Sequence, residues 1–355
     1  MTPALNLPRL RRLGQQLLAG RRMQMDQVAA RSWQVCPPSR AVARPALFPD
    51  GSMARVTALS PYRTWNQERP LIEGGAVTLP ATRAHELHHA DLVGGRLYAG
   101  PIQRSVGVQP SPYLLSGFGS MERLPEAQLA STWSGSMFFG CLLLDDFPLE
   151  LLGDRDCPRL STRGKPSGHE ADYRDLLGLG SKRVHDRVHI GRLVIHEDPP
   201  YNPSKAERYR ALKRRLKTAT ATPATISSGE RIYLRRGLAG QRRLLVNEPA
   251  VEAALQKQGF VVLDPMALSA RHISQAVMGA RCVVSVEGSQ ISHAIFALAE
   301  DATIVVLQPP DRFCLQYKEF ADAMGHRFAF TVGMPREDGF AVDVDELLRL
   351  LGDLP

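Results

Sequence analysis

The sequence predicts an α/β protein of two lobes, the C-terminal one a doubly wound parallel sheet. Three observations carry that expectation. From residue 231 onward, short continuous apolar runs alternate with amphipathic helical stretches, the pattern of parallel strands covered on both faces. The chain has 355 residues, more than one core ordinarily carries. A stretch rich in Pro, Ser, Thr and Gly, TATPATISSGE, places a linker near 218–229. The expected organisation is a basic helix and extension over 1–45, an N-terminal lobe over 46–220 and a C-terminal lobe over 221–355. No period of 20–50 residues points to a repeat architecture.

The N-terminal stretch LNLPRLRRLGQQLLAGRRMQ spaces Leu10, Leu13, Leu17 and Leu18 near helical intervals, with Arg11 and Arg12 among them and Arg21 and Arg22 just beyond. A basic amphipathic helix of this kind suits an anionic membrane surface, so residues 5–23 are expected to make peripheral membrane contact. Residues 32–80 read as loops and short strands. GGRLYAGP (94–101) reads as a strand entering a turn. SMFFGCLLLDDFPLELLG (136–153) reads as a buried helix kinked or ended by Pro148. DYRDLLGLG (172–180) reads as a short helix closed by glycine, and DRVHIGRLVIHEDP (186–199) as strands. NPSKAERYRALKRRLKTA (202–219) is a polar, basic helix with Asn202 or Ser204 as its cap. Beyond 231 the order is strand RIYLRR, helix NEPAVEAALQKQG, strand FVVLDP, helix SARHISQAVMGA and strand RCVVSVEG. Helix SQISHAIFALAE, strand TIVVLQP, helix CLQYKEFADAMG, strand RFAFTVG and helix DVDELLRLLG complete it.

The net charge of +8 favours anionic ligands or surfaces. The basic residues are not interleaved with aromatics and no nucleic-acid module is present, so nucleic acid is not expected as a partner. The cysteines Cys36, Cys141, Cys157, Cys282 and Cys314 are scattered and include no C-x-x-C pair. That argues against a zinc ribbon or a disulfide framework and for a reducing compartment. No apolar stretch reaches the ~20 residues of a membrane span, and the N-terminus lacks a signal-peptide core. The expected location is cytoplasmic, with association at the inner face of the membrane.

Three strand or helix ends carry candidate chemistry. In VVSVEGSQISHAIF (283–296), Glu287 ends a buried strand, Gly288 permits a tight turn, and Ser289 caps the next helix, whose free N–H groups suit a phosphate. Ser292 and His293 lie on its first turn. In YLRRGLAGQRRLLVNE (233–248), Arg235 and Arg236 leave a strand and Arg242 and Arg243 follow a glycine-bearing loop; guanidinium groups suit phosphate. Asn247 offers a helix cap and Glu248 joins the first turn. The loop has neither Walker nor G-x-G-x-x-G spacing. In FFGCLLLDDFP (138–148), Asp145 and Asp146 close an apolar run; a carboxylate there is a candidate general base.

With these segments in view, the sequence resembles glycosyltransferase family 61 over roughly residues 85–335. RRLLVNEPAVEAALQKQGF is similar to the family's Arg-x-x-x-Asn-Glu helix start, with Arg243, Asn247 and Glu248 in place. VVSVEGSQISHAIF occupies the place of an apolar strand ending in His-Gly, with Glu287 where His is common and His293 where Asn is common. GCLLLDDFP keeps Asp145 and Pro148 of the Gly-His-Trp-Leu-Leu-Asp motif, but Cys141 replaces the His and Leu142 the Trp. The resemblance implies a GT-B-like pair of Rossmann-like lobes and an inverting glycosyltransferase. Such an enzyme moves a sugar from a nucleotide-sugar donor to a glycan acceptor, in surface or capsular polysaccharide biosynthesis, with no metal or other cofactor. The implied donor-binding set is Arg235, Arg236, Arg243, Asn247, Glu248, Gly288, Ser289, Gln290 and Ser292. Asp145 is the first candidate for the base, with Glu287 and His293 in reserve. The alternative is a non-catalytic relative that binds a nucleotide-sugar or glycan, for which Cys141 and Glu287 argue.

RAHELHHAD (83–91) contains an H-E-x-x-H pattern, His85-Glu86-Leu87-His88-His89. A zinc peptidase needs those histidines on one helical face and a third ligand. Gly94-Gly95 follow closely, and Leu92 and Gly95 stand where the extended motif needs Gly and His. Surface residues or an acceptor-side edge are the expected reading.

Overall fold

The computed structural model describes residues 7–19, 23–107, 121–162, 168–180, 183–185, 187–221, 228–237 and 243–354. Arg21, Arg22, Arg242 and half of the expected linker, residues 222–227, lie outside the described residues. In chain order the strands are β1 (Arg31–Cys36), β2 (Ser39–Ala43), β3 (Gly75–Leu79), β4 (Thr82–Val93), β5 (Arg96–Ala99) and β6 (Ile102–Ser105). Then come β7 (Glu122–Leu129), β8 (Arg159–Ser161), β9 (Arg183–Val184), β10 (Arg187–Glu197), β11 (Arg231–Leu234) and β12 (Val261–Leu263). The last are β13 (Cys282–Val286), β14 (Thr303–Gln308), β15 (Arg327–Val332), β16 (Met334–Arg336) and β17 (Gly339–Ala341).

Two compact units emerge. One comprises Met1–Pro38, Pro80–Arg174 and Leu179–Pro199; the other comprises Ser39–Leu79, Asp175–Gly178 and Pro200–Pro355. The sequence-based boundary near 220 therefore differs from the observed grouping, which places 39–79 and 200–220 with the C-terminal residues. The physical reason is visible at Leu47. Its N–H donates to the Phe328 carbonyl at 2.9 Å, and the Phe330 N–H donates to the Leu47 carbonyl at 2.9 Å. Phe48 stacks on Phe330 with ring centroids 4.8 Å apart. Residues 46–48 thus cover the edge of β15, a requirement of that strand that a loop-like sequence does not announce.

The first unit holds an eight-stranded sheet in the order β6-β5-β4-β10-β7-β8-β9, with β1 also on β4. β4 is antiparallel to β1, β5 and β10, whereas β10, β7, β8 and β9 run parallel. A mixed sheet stands where the resemblance implied a Rossmann-like lobe. The turn Gly94-Gly95 decides part of this. Both glycines have positive φ, 53° and 67°, and so tight a connection joins only antiparallel neighbours. Leu87, Ala90, Leu92, Val188, Ile190 and Leu193 form the centre of its core.

The second unit holds a five-stranded parallel sheet, β12-β11-β13-β14-β15. Tyr233, Val284, Val305 and Ala329 pack with Val251 and Leu255 of the helix Glu248–Lys257 and with Leu347 and Leu350 of the helix Val344–Gly352. The alternate residues Ile232, Val283, Ile304 and Phe328 are buried too, so both faces of the strands are covered and the apolar runs need no alternation. The basic helix is Pro203–Ala219, capped by the Asn202 side chain, which accepts from the Lys205 N–H at 2.9 Å.

Three elements differ from expectation. The helix expected over 289–300 is a 3₁₀ turn, Ser289–His293, followed by turns. Residues 290–298 are all buried, so no amphipathic stripe exists there for a helix to follow. The stretch 136–153 is broken into short helical pieces, with a π turn at Leu142–Asp146. Residues 65–73 form a helix, although they read as loop.

Candidate active site

In the order β12-β11-β13-β14-β15 the chain starts at β11, steps to one side, then returns to β13. Ligands of parallel sheets bind beyond the carboxyl ends of the strands at such a reversal. Here that place lies between the ends of β11 and β13, where Arg236 and Glu287 emerge. Arg236 Nη1 donates to the Glu287 carbonyl at 3.2 Å and to Gln290 Oε1 at 3.1 Å. Arg243 Nη1 donates to the same carbonyl at 3.0 Å and stands 2.7 Å from Glu287 Oε2. Gly288 has φ 150° and ψ 176°, a region essentially confined to glycine. A Cβ there would meet Arg236 Nη1 at 1.8 Å, so the missing side chain is what lets the guanidinium close over the turn. Ser285 Oγ donates to the Leu234 carbonyl at 2.7 Å and accepts from Gln290 Nε2 at 2.9 Å, tying β11 to the turn after β13.

The electrostatics follow from burial. Glu287 is only 7% exposed. Burial pushes its carboxyl above the usual carboxylate range, against the pull of Arg243 and Arg236. Burial and the neighbouring Arg243 bring Arg236 down to about 10. Arg243 pairs with the buried carboxylate while Arg236 donates to the main-chain carbonyl of the same residue, so two guanidinium groups face a single carboxylate.

The other sequence candidates are distributed differently. Arg235 does not join Arg236 and Arg243; its guanidinium forks onto Glu252 of the helix Glu248–Lys257. Asn247 is not a side-chain cap. It clamps Val342, donating to its carbonyl at 2.8 Å and accepting from its N–H at 3.1 Å. Glu248 accepts from the Tyr233 hydroxyl at 2.7 Å. Ser289 is half-buried at the head of a turn too short to act as a phosphate-binding helix. Ser292 Oγ pairs with the Tyr317 hydroxyl at 2.8 Å, and His293 is 3% exposed.

In the first unit, Asp145 and Asp146 have separate surroundings. Asp146 is fully buried and accepts from the Thr132 N–H and the Thr132 hydroxyl, both at 2.8 Å. Thr132 Oγ1 in turn accepts from the Gly135 N–H at 2.8 Å, capping the helix Trp133–Met137. Asp145 is half-buried and accepts from Ser134 Oγ at 3.4 Å. Asp146 therefore holds the turn, and Asp145 is the carboxylate of the pair that retains access to solvent.

The model of glycosyltransferase family 61 matches residues 25–306, well over half of the chain. The chain belongs to glycosyltransferase family 61. As a family 61 protein it is assigned to the glycosyltransferases, enzymes that need a sugar donor and an acceptor. No curated protein matches the chain. The family's Arg-x-x-x-Asn-Glu pattern acquires a physical meaning in this member. Arg243 reaches the strand-end turn, Asn247 fastens the chain at Val342, and Glu248 fastens it at Tyr233.

The H-E-x-x-H stretch of this family 61 protein lies in β4, a strand. At ~3.3 Å per residue, positions four apart in a strand are roughly 13 Å apart, against ~6 Å on a helix. The arrangement that a zinc peptidase needs is not formed. His85 is buried, with Nδ1 2.9 Å from Ser32 Oγ, while Glu86 bridges His88 at 2.9 Å and Arg192 at 3.0 Å on the outside. No helix among the described residues is long and apolar enough to cross a membrane.

Two residues with no sequence signal also belong to the second unit's strand-end region. Glu68, from the helix that read as loop, is fully buried and accepts from the Leu315 N–H at 2.8 Å. Arg312 lies in the loop after β14.

Proposed function

We propose that the protein is an inverting glycosyltransferase that moves a sugar from a nucleotide-sugar to a glycan acceptor in surface polysaccharide biosynthesis, without a metal. The observation that carries the reading is the convergence of Arg236 and Arg243 on the Glu287 carbonyl beside Gly288. Family membership supplies the reaction class, and this cationic turn supplies a place for the diphosphate. The acceptor oxygen attacks the anomeric carbon from the face opposite the diphosphate. The bond from that carbon to the phosphate oxygen breaks, the acceptor proton passes to a base, and the nucleoside diphosphate leaves with the bonding electron pair. Charge grows on the leaving oxygen, and guanidinium groups fixed beforehand stabilise it. Asp145 is assigned the base, because Asp146 is already committed to Thr132. Glu287, held toward its neutral form by burial, and buried His293 are the reserves.

The family's GT-B-like, two-lobed organisation is part of the same reading. So is a cytoplasmic location, with peripheral attachment to the inner membrane face. The helix Leu7–Ala19 exposes Leu7, Leu10, Leu13 and Leu17, with Arg9, Arg11 and Arg12 interleaved, which suits an anionic interface. The deciding experiment is a thermal-shift panel of nucleoside diphosphates and their sugars, followed by NMR of the product anomer. A selective stabiliser and an inverted product support the proposal. A retained anomer removes the inverting mechanism, and a panel without a stabiliser removes the donor site. Co-sedimentation with phosphatidylglycerol vesicles, lost at high salt and with phosphatidylcholine, tests the attachment.

A further inference from the structure

We infer that Arg312 is a third guanidinium of the donor site, placed to hold the diphosphate with Arg236 and Arg243. The inference rests on the nucleotide-sugar reading and adds to it a residue that no motif marks and that lies past the end of the family match at 306. β11, β13 and β14 are adjacent and parallel, so their carboxyl ends share one edge of the sheet. Arg236 follows β11, Glu287 follows β13, and Arg312 follows β14. Arg312 is near enough to Arg243 and Glu287 for both charges to act on it, and Glu287 feels all three arginines.

Arg236 and Arg243 are spoken for in part, by the Glu287 carbonyl and carboxylate. The Arg312 guanidinium makes no hydrogen bond or ion pair among the described residues, and its Nε is buried without a partner. Burial and the nearby Arg243 lower its pKa. A half-buried cation beside two others is an unfavourable arrangement until an anion arrives. With Glu68 already paired to Arg63, three guanidiniums against the Glu287 carboxylate leave a surplus of about two positive charges, matching the pyrophosphate of a nucleotide-sugar.

The loop that carries Arg312 is braced on both sides. Gln308 spans it, donating to the Cys314 carbonyl at 2.7 Å and accepting from the Cys314 N–H at 3.2 Å. The N–H groups of Thr57 and Ala58 donate to the Pro310 carbonyl at 2.7 and 3.2 Å. Ser60 donates to Phe313, and Phe313 to Ala58, both at 3.0 Å. The Glu68 carboxylate takes the Leu315 N–H. Arg312 thus projects from a backbone fixed before any ligand binds, as electrostatic stabilisation of a leaving group requires.

The test is calorimetric titration of the full chain with UDP, GDP, ADP and CDP, and with the matching nucleosides. It compares the wild type with Arg312→Gln and Arg312→Met. The expected result is roughly 10-fold or greater loss of affinity for whichever diphosphate the wild type binds, with nucleoside affinity unchanged and the far-UV circular dichroism retained. If either folded variant binds that diphosphate within about twofold of wild type, the Arg312 inference fails while the donor reading stands. If the wild type binds none of the diphosphates, the donor reading fails and this inference with it. Arg312→Met carries the measurement should Arg312→Gln not fold, since its unbranched apolar chain can follow the path of the arginine stem and lacks the charged head.

Discussion

Arg243 and Glu287 meet at 2.7 Å with each side chain only 10% exposed, and Arg243 also donates to the Glu287 backbone carbonyl. One arginine thus serves the charge and the main chain of the same residue. Removing it strands a buried carboxylate, and that is costlier than never having had the pair. Arg243→Ala is expected to destabilise the protein by about 3–5 kcal/mol in urea unfolding. Glu287→Gln, which removes the charge and keeps the shape, is expected to cost less than half as much. Equal losses would show that the ion pair is not what organises the turn.

The two adjacent aspartates should separate cleanly on mutation. Asp146→Ala breaks two hydrogen bonds from Thr132 to a fully buried group and is expected to cost about 2–4 kcal/mol of stability. Asp145→Asn leaves that network in place. Its expected signature is unchanged unfolding, within about 0.5 kcal/mol, with sugar transfer reduced roughly 100-fold or more. A fully active Asp145→Asn enzyme removes Asp145 from the base role.

Gly288→Ala tests the turn beneath Arg236. Arg236 can swing aside from a new Cβ, but φ 150° remains strained for any L side chain. The expected cost is about 1–3 kcal/mol, together with weakened nucleoside diphosphate binding because the guanidinium is displaced. Both are read from one set of denaturation and titration experiments. An unchanged melting temperature and affinity would contradict the close approach.

His326 supplies a pH dependence with a fixed sign. It is 2% exposed, neither ring nitrogen has a hydrogen-bond partner among the described residues, and burial lowers its pKa to about 4 from an ordinary 6.5. The unfolded chain therefore takes up this proton first as pH falls. The stability contributed by the neutral ring is complete above about pH 6.5 and drains away as pH falls toward 4. Between pH 7 and 5 the expected loss is about 2 kcal/mol, absent from His326→Gln. Identical pH profiles for wild type and variant would refute it.

Much of the C-terminal fold was legible because parallel strands buried on both faces are built around continuous apolar runs, and RIYL, CVVSV, TIVVLQ and RFAFTV each contain one. The site was legible in part. Arg235 and Arg236 look equivalent in sequence, yet neighbours leaving a strand point to opposite faces, so only one could reach Glu287, and Arg235 turns to Glu252 instead. Asn247 reads as a cap because Asn often is one, whereas its partner, Val342, is 95 residues away and unforeseeable from spacing. Arg312 has no motif at all. It matters only because β14 lies beside β13, a fact of topology. The first unit resisted reading because β4 packs against three strands, and its burial follows neither strict alternation nor a helical stripe.

The segment Ser39–Leu79 leaves the ribosome long before β14 and β15 are synthesised, yet it caps the edge of β15 at Leu47 and braces the Arg312 loop at Ala58 and Ser60. Its partners arrive more than two hundred residues later. The nascent chain must therefore hold that early stretch in reserve until β14 and β15 have been made. A fragment begun at residue 200 or 221 would be born with a bare strand edge, prone to pair with its own copies.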